Sequence, residues 1–198
     1  MAFSRILSLS DAVFAIALTL LVLNIDRPDV PADMLPAALL SQIPQFIAFL
    51  LSFALVANLW WQHHKLVEIF GLFDPVMIAI NLAILGAVVL VPFPTSLIGS
   101  QPQSQTAVVF FIAIFMIISL LFVFLLIRAQ GARAWRHPMP KKMFYWLLLS
   151  WGSGIAVMII ALVLAIWIPI GGLAIMAASM ILGPFASMRH YKKWGKNF

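Results

Sequence analysis

Apolar residues dominate six long stretches of this chain, at 8–25, 42–63, 75–98, 106–127, 144–167 and 170–188, and the segments between them carry most of the charges. A helix of about 20 residues, rising 1.5 Å per residue, crosses a hydrocarbon layer about 30 Å thick. The pattern therefore predicts an all-α integral membrane protein with six transmembrane helices in a single domain over 1–198. The first stretch has the most informative phase. After Arg5, Ser10 and Asp11 it continues through fourteen positions in which Thr19 and Asn24 are the only polar side chains, then stops at Asp26, Arg27 and Pro28. At about 100° per residue, Ile16, Leu20 and Leu23 fall within roughly 60° of one another, with Thr19 at the border of that arc. Asp11 points the other way. The helix thus has an apolar stripe with a hydroxyl beside it, and a separate polar corner near its start.

The remaining stretches carry fewer signals. The second ends in Trp60 and Trp61, an aromatic pair suited to the level where lipid tails meet headgroups. The third opens after Asp74 and closes on Pro92, Phe93 and Pro94, which are expected to loosen its last turns. The fourth is apolar all round apart from Ser119. The fifth contains Gly152, Ser153 and Gly154, a small patch on which another helix could lie closely. A tight turn at 169–172 is expected before the sixth.

Composition agrees with this class: 64% of residues are hydrophobic and 9% charged, against about 25% charged in an ordinary soluble domain. No cysteine is present, which excludes disulfides and thiolate chemistry. Asp11 interrupts the place where the core of a cleaved leader would begin, so the first helix is expected to remain. The net charge of +6 is a topology signal. With six spans both ends lie on one side, and that side holds eleven of the twelve Lys and Arg, all but Arg27. The positive-inside rule then places both termini in the cytoplasm. The loop after the first helix, with Asp26, Asp29 and Asp33 against Arg27, lies outside.

This topology brings Arg5, Ser10 and Asp11 to the same level as His63, His64, Lys65, Glu68 and Asp74. A carboxylate one turn into a span is costly and requires a partner. Arg5 or one of the histidines is the expected partner of Asp11.

These residues carry a family resemblance. Arg5, followed after three residues by Leu9-Ser10-Asp11 and then AVFAIALTLLVL, resembles the R-x-x-x-F-S-D signature on the first helix of the transmembrane protein 175 family of potassium channels. LWWQHH at 59–64, Asp74, Asn81 and Pro92-Phe93-Pro94-Thr95 are similar to that family's second and third helices. The likeness covers about half the chain; Leu9 departs from it, standing where the signature has phenylalanine. It implies a homotetramer in which four copies of the first helix line a central potassium path. On that reading Ile16 forms the constriction and gate, with Leu20 and Leu23 on successive turns above it. Thr19 would supply hydroxyls near the constriction that contribute to selectivity. Arg5, Ser10, Asp11, His63, His64 and Asp74 would form the signature and gating cluster. The resemblance implies a bacterial cell membrane as the location, monovalent cations and the bilayer as partners, and potassium as permeant ion rather than cofactor. The sequence independently lacks any TVGYG-like filter segment.

Other chemistries fare worse. Adjacent histidines on a helix point about 100° apart, so His63 and His64 do not share a metal ion, and no HxxxH or cysteine partner exists. One histidine bonding the Ser10 and Asp11 corner would fix the tilt of the first helix and make gating sensitive to pH. The basic runs at 128–142 and 189–196 are topology determinants and headgroup contacts rather than a nucleic-acid surface. An enzyme would need convergent polar groups that the chain does not have at one depth. The alternative to a channel is a proton-coupled secondary transporter using Asp11 and a histidine. No inverted repeat or interrupted helix at mid-membrane supports it.

Overall fold

The computed structural model describes residues 3–180, and within them the chain is all-helical. Helix α1, Phe3–Leu20, starts earlier than the apolar pattern indicated and tightens into a 3-10 turn at Leu21–Asn24 before Ile25 turns extended. The outer loop contains a short helix, α2, Leu35–Ser41, with Pro36 in its first turn. Helix α3, Ile43–Glu68, continues past the tryptophan pair, so His64, Lys65 and Glu68 ride on its last turns. Asp74 caps α4, Pro75–Leu90, accepting from the Met77 N–H at 2.7 Å.

The third apolar stretch is two helices. Pro92 and Pro94 have no N–H to give to the carbonyls of Val88 and Leu90, so α4 ends and α5, Pro92–Ser100, begins. The Val88 carbonyl takes the Val91 N–H instead, at 3.1 Å. Helix α6, Gln105–Gly131, is capped by Ser104 and carries Arg128 in its last turn. Helix α7 spans Lys141–Ala165. The turn before the last helix lies at 166–168, and Pro169 opens α8, described as Pro169–Met180. Among the described residues five segments are long and apolar enough to cross a membrane: Ser4–Asn24, Ile43–Glu68, Pro75–Ser100, Gln105–Gly131 and Lys141–Ala165. The stretch at 181–188 lies outside the described residues, as does the basic run at 189–196.

Helix α6 packs against α4, α5 and α7; α3 packs on α5, and α1 on α3 and α4. Lipid tails are as apolar as leucine, so close fit and interhelical hydrogen bonds hold such a bundle together. Phe122 of α6 stacks on Trp151 of α7 at 4.6 Å between ring centroids. The buried hydroxyls of Ser52 on α3 and Thr95 on α5 lie 2.8 Å apart; Thr95 has the Val91 carbonyl for its own proton, so Ser52 donates. Gly99 lets α5 approach α3, because a Cβ there would stand 3.3 Å from the Gln45 Cα. Gly172 does the same for α8 on α7: an added Cβ would lie 2.5 Å from the Ala161 carbonyl oxygen. Gly152 and Gly154, by contrast, face open space.

Candidate pore helix and its polar clasp

The buried side of α1 is a stripe of Ile6, Ser10, Phe14, Ala17 and Leu21, spaced three and four residues apart as one helical face requires. Ser10 is the one polar member. Its hydroxyl donates to the Ile6 carbonyl at 3.0 Å and accepts from Asn81 Nδ2 of α4 at 3.2 Å. That orientation leaves Asn81 Oδ1 for His63 Nε2 of α3, 2.7 Å away, so His63 carries its proton on Nε2. Three helices meet in this chain of bonds. The His63 ring is fully buried between Phe14, 5.5 Å away, and Phe122, 5.8 Å away, and its Nδ1 has no hydrogen-bond partner.

The neighbouring polar groups form a second cluster at the end of the bundle where α1 begins. Asp11 accepts from the Trp60 indole N–H at 2.9 Å, and His64 Nδ1 lies 4.0 Å from the same oxygen. His64 Nε2 faces Glu68 at 3.3 Å, and Lys65 reaches Glu68 at 3.0 Å while standing over the Trp61 ring. Arg5 is exposed on the first turns of α1 and makes no ion pair with Asp11. The expected arginine partner is thus replaced by an indole that composition suggested only as an interfacial anchor.

Asp74 stands apart from this cluster. It caps α4 and pairs with Arg128, tying the start of α4 to the end of α6. The Met77 N–H first, and the Arg128 guanidinium after it, hold the Asp74 carboxyl below the ordinary carboxylate range. Beside it, the loop after α6 is pinned to the loop after α3: Gly71 N–H donates to the Ala134 carbonyl at 2.7 Å, and Arg136 N–H to the Ile69 carbonyl at 3.0 Å. Arg133 adopts the left-handed conformation, φ 51°, which lets the Ala134 N–H return to the Ala129 carbonyl and close the end of α6.

The opposite face of α1 is bare. Ile16 is 56% exposed, Leu20 37% and Leu23 74%, with Thr19 exposed beside them. The Thr19 hydroxyl donates to the Ile16 carbonyl at 2.8 Å, so its proton is committed to its own helix while oxygen lone pairs remain. Leu23 lies in the 3-10 turn, where the step per residue is about 120°, and still falls on the exposed side. The far end of this helix is fastened too. Asn24 donates to the Pro92 carbonyl at the α4–α5 hinge at 2.9 Å, and Asp26 is gripped by Gln45 and Gln42 at the head of α3. Among the described residues no three His, Asp or Glu side chains converge as a metal site requires.

Asn81 and Trp60 are the residues that sequence reasoning undervalued. A lone amide in the otherwise apolar α4 was the available signal for the first. Nothing in the sequence marked Trp60 as the partner of Asp11.

Fold and site together define a multi-pass helical membrane protein whose first helix is clasped from behind and uncovered in front. Comparison with known proteins gives the family. Residues 5–92 match the family model described as Endosomal/lysosomal potassium channel TMEM175. The chain is 37% identical to a potassium channel of Chamaesiphon minutus over 139 residues, 67% of this chain and 64% of that one. It is 34% identical to a potassium channel of Streptomyces collinus over 52% of this chain and 50% of the relative. It is also 34% identical to the endosomal/lysosomal proton channel TMEM175 of Rattus norvegicus, over 56% of this chain and 26% of the rat protein. The chain thus spans less than two thirds of each of these relatives. The crystal structure of a lysosomal potassium-selective channel TMEM175 homolog from Chamaesiphon minutus superimposes with a TM-score of 0.76 at 28% identity, covering 94% of this chain and 97% of that one. The chain belongs to the TMEM175 family.

Proposed function

We propose that this chain is a potassium-permeable channel, passing ions downhill through a central pore lined by α1 from four copies. The observation that carries this reading is the asymmetry of α1. One face is buried and hydrogen-bonded to α4 and, through Asn81, to α3, while Ile16, Leu20 and Leu23 on the other are left uncovered by the chain's own helices. A pore lined by one helix per chain requires several copies, related by closed symmetry. Rings of Ile16, Leu20 and Leu23 would close it by shedding water when narrow and admit ions when the four helices tilt apart. Isoleucine and leucine offer no ligand for a dehydrated ion, so Thr19 oxygens and partial dehydration set a modest selectivity. Both termini face the cytoplasm of a bacterial cell, and no cofactor takes part. The similar bacterial proteins named potassium channels support this choice of ion.

The test is potassium and sodium flux into liposomes containing the purified protein, wild type beside Ile16→Asn. Downhill potassium flux in the wild type, with larger flux or weaker selectivity in the variant, is expected. Flux of neither ion, unchanged by the substitution, refutes the pore assignment. A second reading, proton transport through Asp11 and a histidine, draws on the approach of His64 to Asp11 and Glu68 and on the name of the similar rat protein. Flux driven by a pH gradient at equal potassium, abolished in Asp11→Asn, would favour it.

A further inference from the structure

The chain has six carboxylate side chains, Asp11, Asp26, Asp29, Asp33, Glu68 and Asp74, and none follows Asp74, whereas nine of the twelve Lys and Arg do. Three of the six lie in the loop after α1, at the other end of the bundle. The three at the end where α1 begins are taken: Asp11 by Trp60 with His64 beside it, Glu68 by Lys65 and His64, and Asp74 by Arg128. Arg133, Lys141 and Lys142 are exposed at that end and make no ion pair among the described residues. The start of α7 adds to their charge, since its first turn contains no acidic side chain and the helix presents its positive end there. The segment beside Arg133 is pinned by the Phe70 and Trp135 bridge and by the Trp135 indole, which donates to Gln130 Oε1 at 2.7 Å, while Lys141 and Lys142 stand on the first turn of α7. One turn into α7, Tyr145 is 62% exposed, an aromatic with a polar tip of the kind enriched where lipid tails meet headgroups.

We propose that Arg133, Lys141 and Lys142 form a binding surface for the phosphate of anionic phospholipid headgroups, in the leaflet that meets the loop between α6 and α7. Among the described residues no carboxylate at this end of the bundle is free to neutralise these cations, and a bilayer supplies anionic phosphates to a basic surface at its edge. Each lysine beside an anionic membrane surface strengthens binding through charge attraction that salt weakens.

The test is energy transfer from the tryptophans of the detergent-purified full chain to labelled phosphatidylglycerol or labelled phosphatidylcholine. The wild type is expected to bind phosphatidylglycerol more tightly, with the difference shrinking as salt is raised. Lys141→Gln with Lys142→Gln should weaken phosphatidylglycerol binding by about 30-fold and leave phosphatidylcholine unchanged. Arg27→Gln, which removes a positive charge in the loop after α1 at the other end of the bundle, should have little effect. Equal binding of the two lipids by the wild type overturns the proposal. So does a loss per charge removed in Arg27→Gln as large as in the Lys141 and Lys142 double variant, which would make the preference a property of total charge.

Discussion

Asn81→Leu is the most direct probe of the clasp behind α1. His63 has one hydrogen bond, from Nε2 to Asn81 Oδ1 at 2.7 Å, and its other nitrogen has none. The substitution keeps the branched shape and the number of side-chain heavy atoms at residue 81 but leaves the His63 N–H facing the rings of Phe14 and Phe122. Ser10 loses less, because its own proton still goes to the Ile6 carbonyl. The main cost is therefore that of one buried, unpaired donor, about 1–3 kcal/mol. Interhelical hydrogen bonds in a bilayer average only about 0.6 kcal/mol, since separated helices find other partners. The larger figure applies because this donor stays buried with its partner deleted. His63→Leu strands Asn81 Oδ1 and should cost a similar amount. The double variant strands neither group, so it should cost less than the sum of the singles, with a coupling of about 1–2 kcal/mol. Reversible unfolding in mixed micelles, followed by circular dichroism across the four proteins, measures the cycle. Effects that add to within about 0.5 kcal/mol would refute the clasp.

Other outcomes follow from the same geometry. Gly172→Ala should destabilise the protein by about 1–3 kcal/mol, because the new methyl meets the backbone of α7, whereas Gly152→Ala and Gly154→Ala should be neutral or raise stability by up to about 1 kcal/mol; thermal melts in detergent separate these. Arg133→Gly should stabilise the end of α6 by up to about 1 kcal/mol in the same assay, since glycine takes φ 51° without a Cβ clash. The Asp74 carboxyl titrates below its ordinary value of 3.8, so its tie to α4 and α6 is fully present above that pH and is lost as pH falls through the lowered folded value. Melting temperatures of wild type and Asp74→Asn should accordingly differ by a constant amount from pH 7 to about 5 and converge in stronger acid. A difference that instead grows with acidification contradicts that sign.

Much of the architecture is written in one dimension because the bilayer is a demanding solvent. A span must satisfy its backbone internally and stay apolar for about 20 residues, so length and hydropathy mark each long helix. The phase of α1 is legible for a similar reason: a helix fixes which side chains share a face, and Ile16, Leu20 and Leu23 share one in any environment. Ser10, Asp11, His63, His64 and Asp74 stood out because polar groups are rare at such positions and need partners.

The partners themselves depended on the fold. Helix phase does not say that His63 meets Ser10 only through Asn81, that Trp60 rather than Arg5 serves Asp11, or that Asp74 turns away to cap α4 and hold Arg128. Those choices follow from how three helices rotate and slide against one another, which sequence spacing within each helix leaves open. The same holds for the glycines. Gly152 and Gly154 have the pattern of a packing patch, but Gly99 and Gly172 sit at the close approaches, because proximity belongs to the pair of helices and not to either sequence alone. What the sequence determined by itself is the membrane class, the five long apolar spans found among the described residues and the stripe on α1. The tertiary structure decided which face of α1 is clasped and which is left bare.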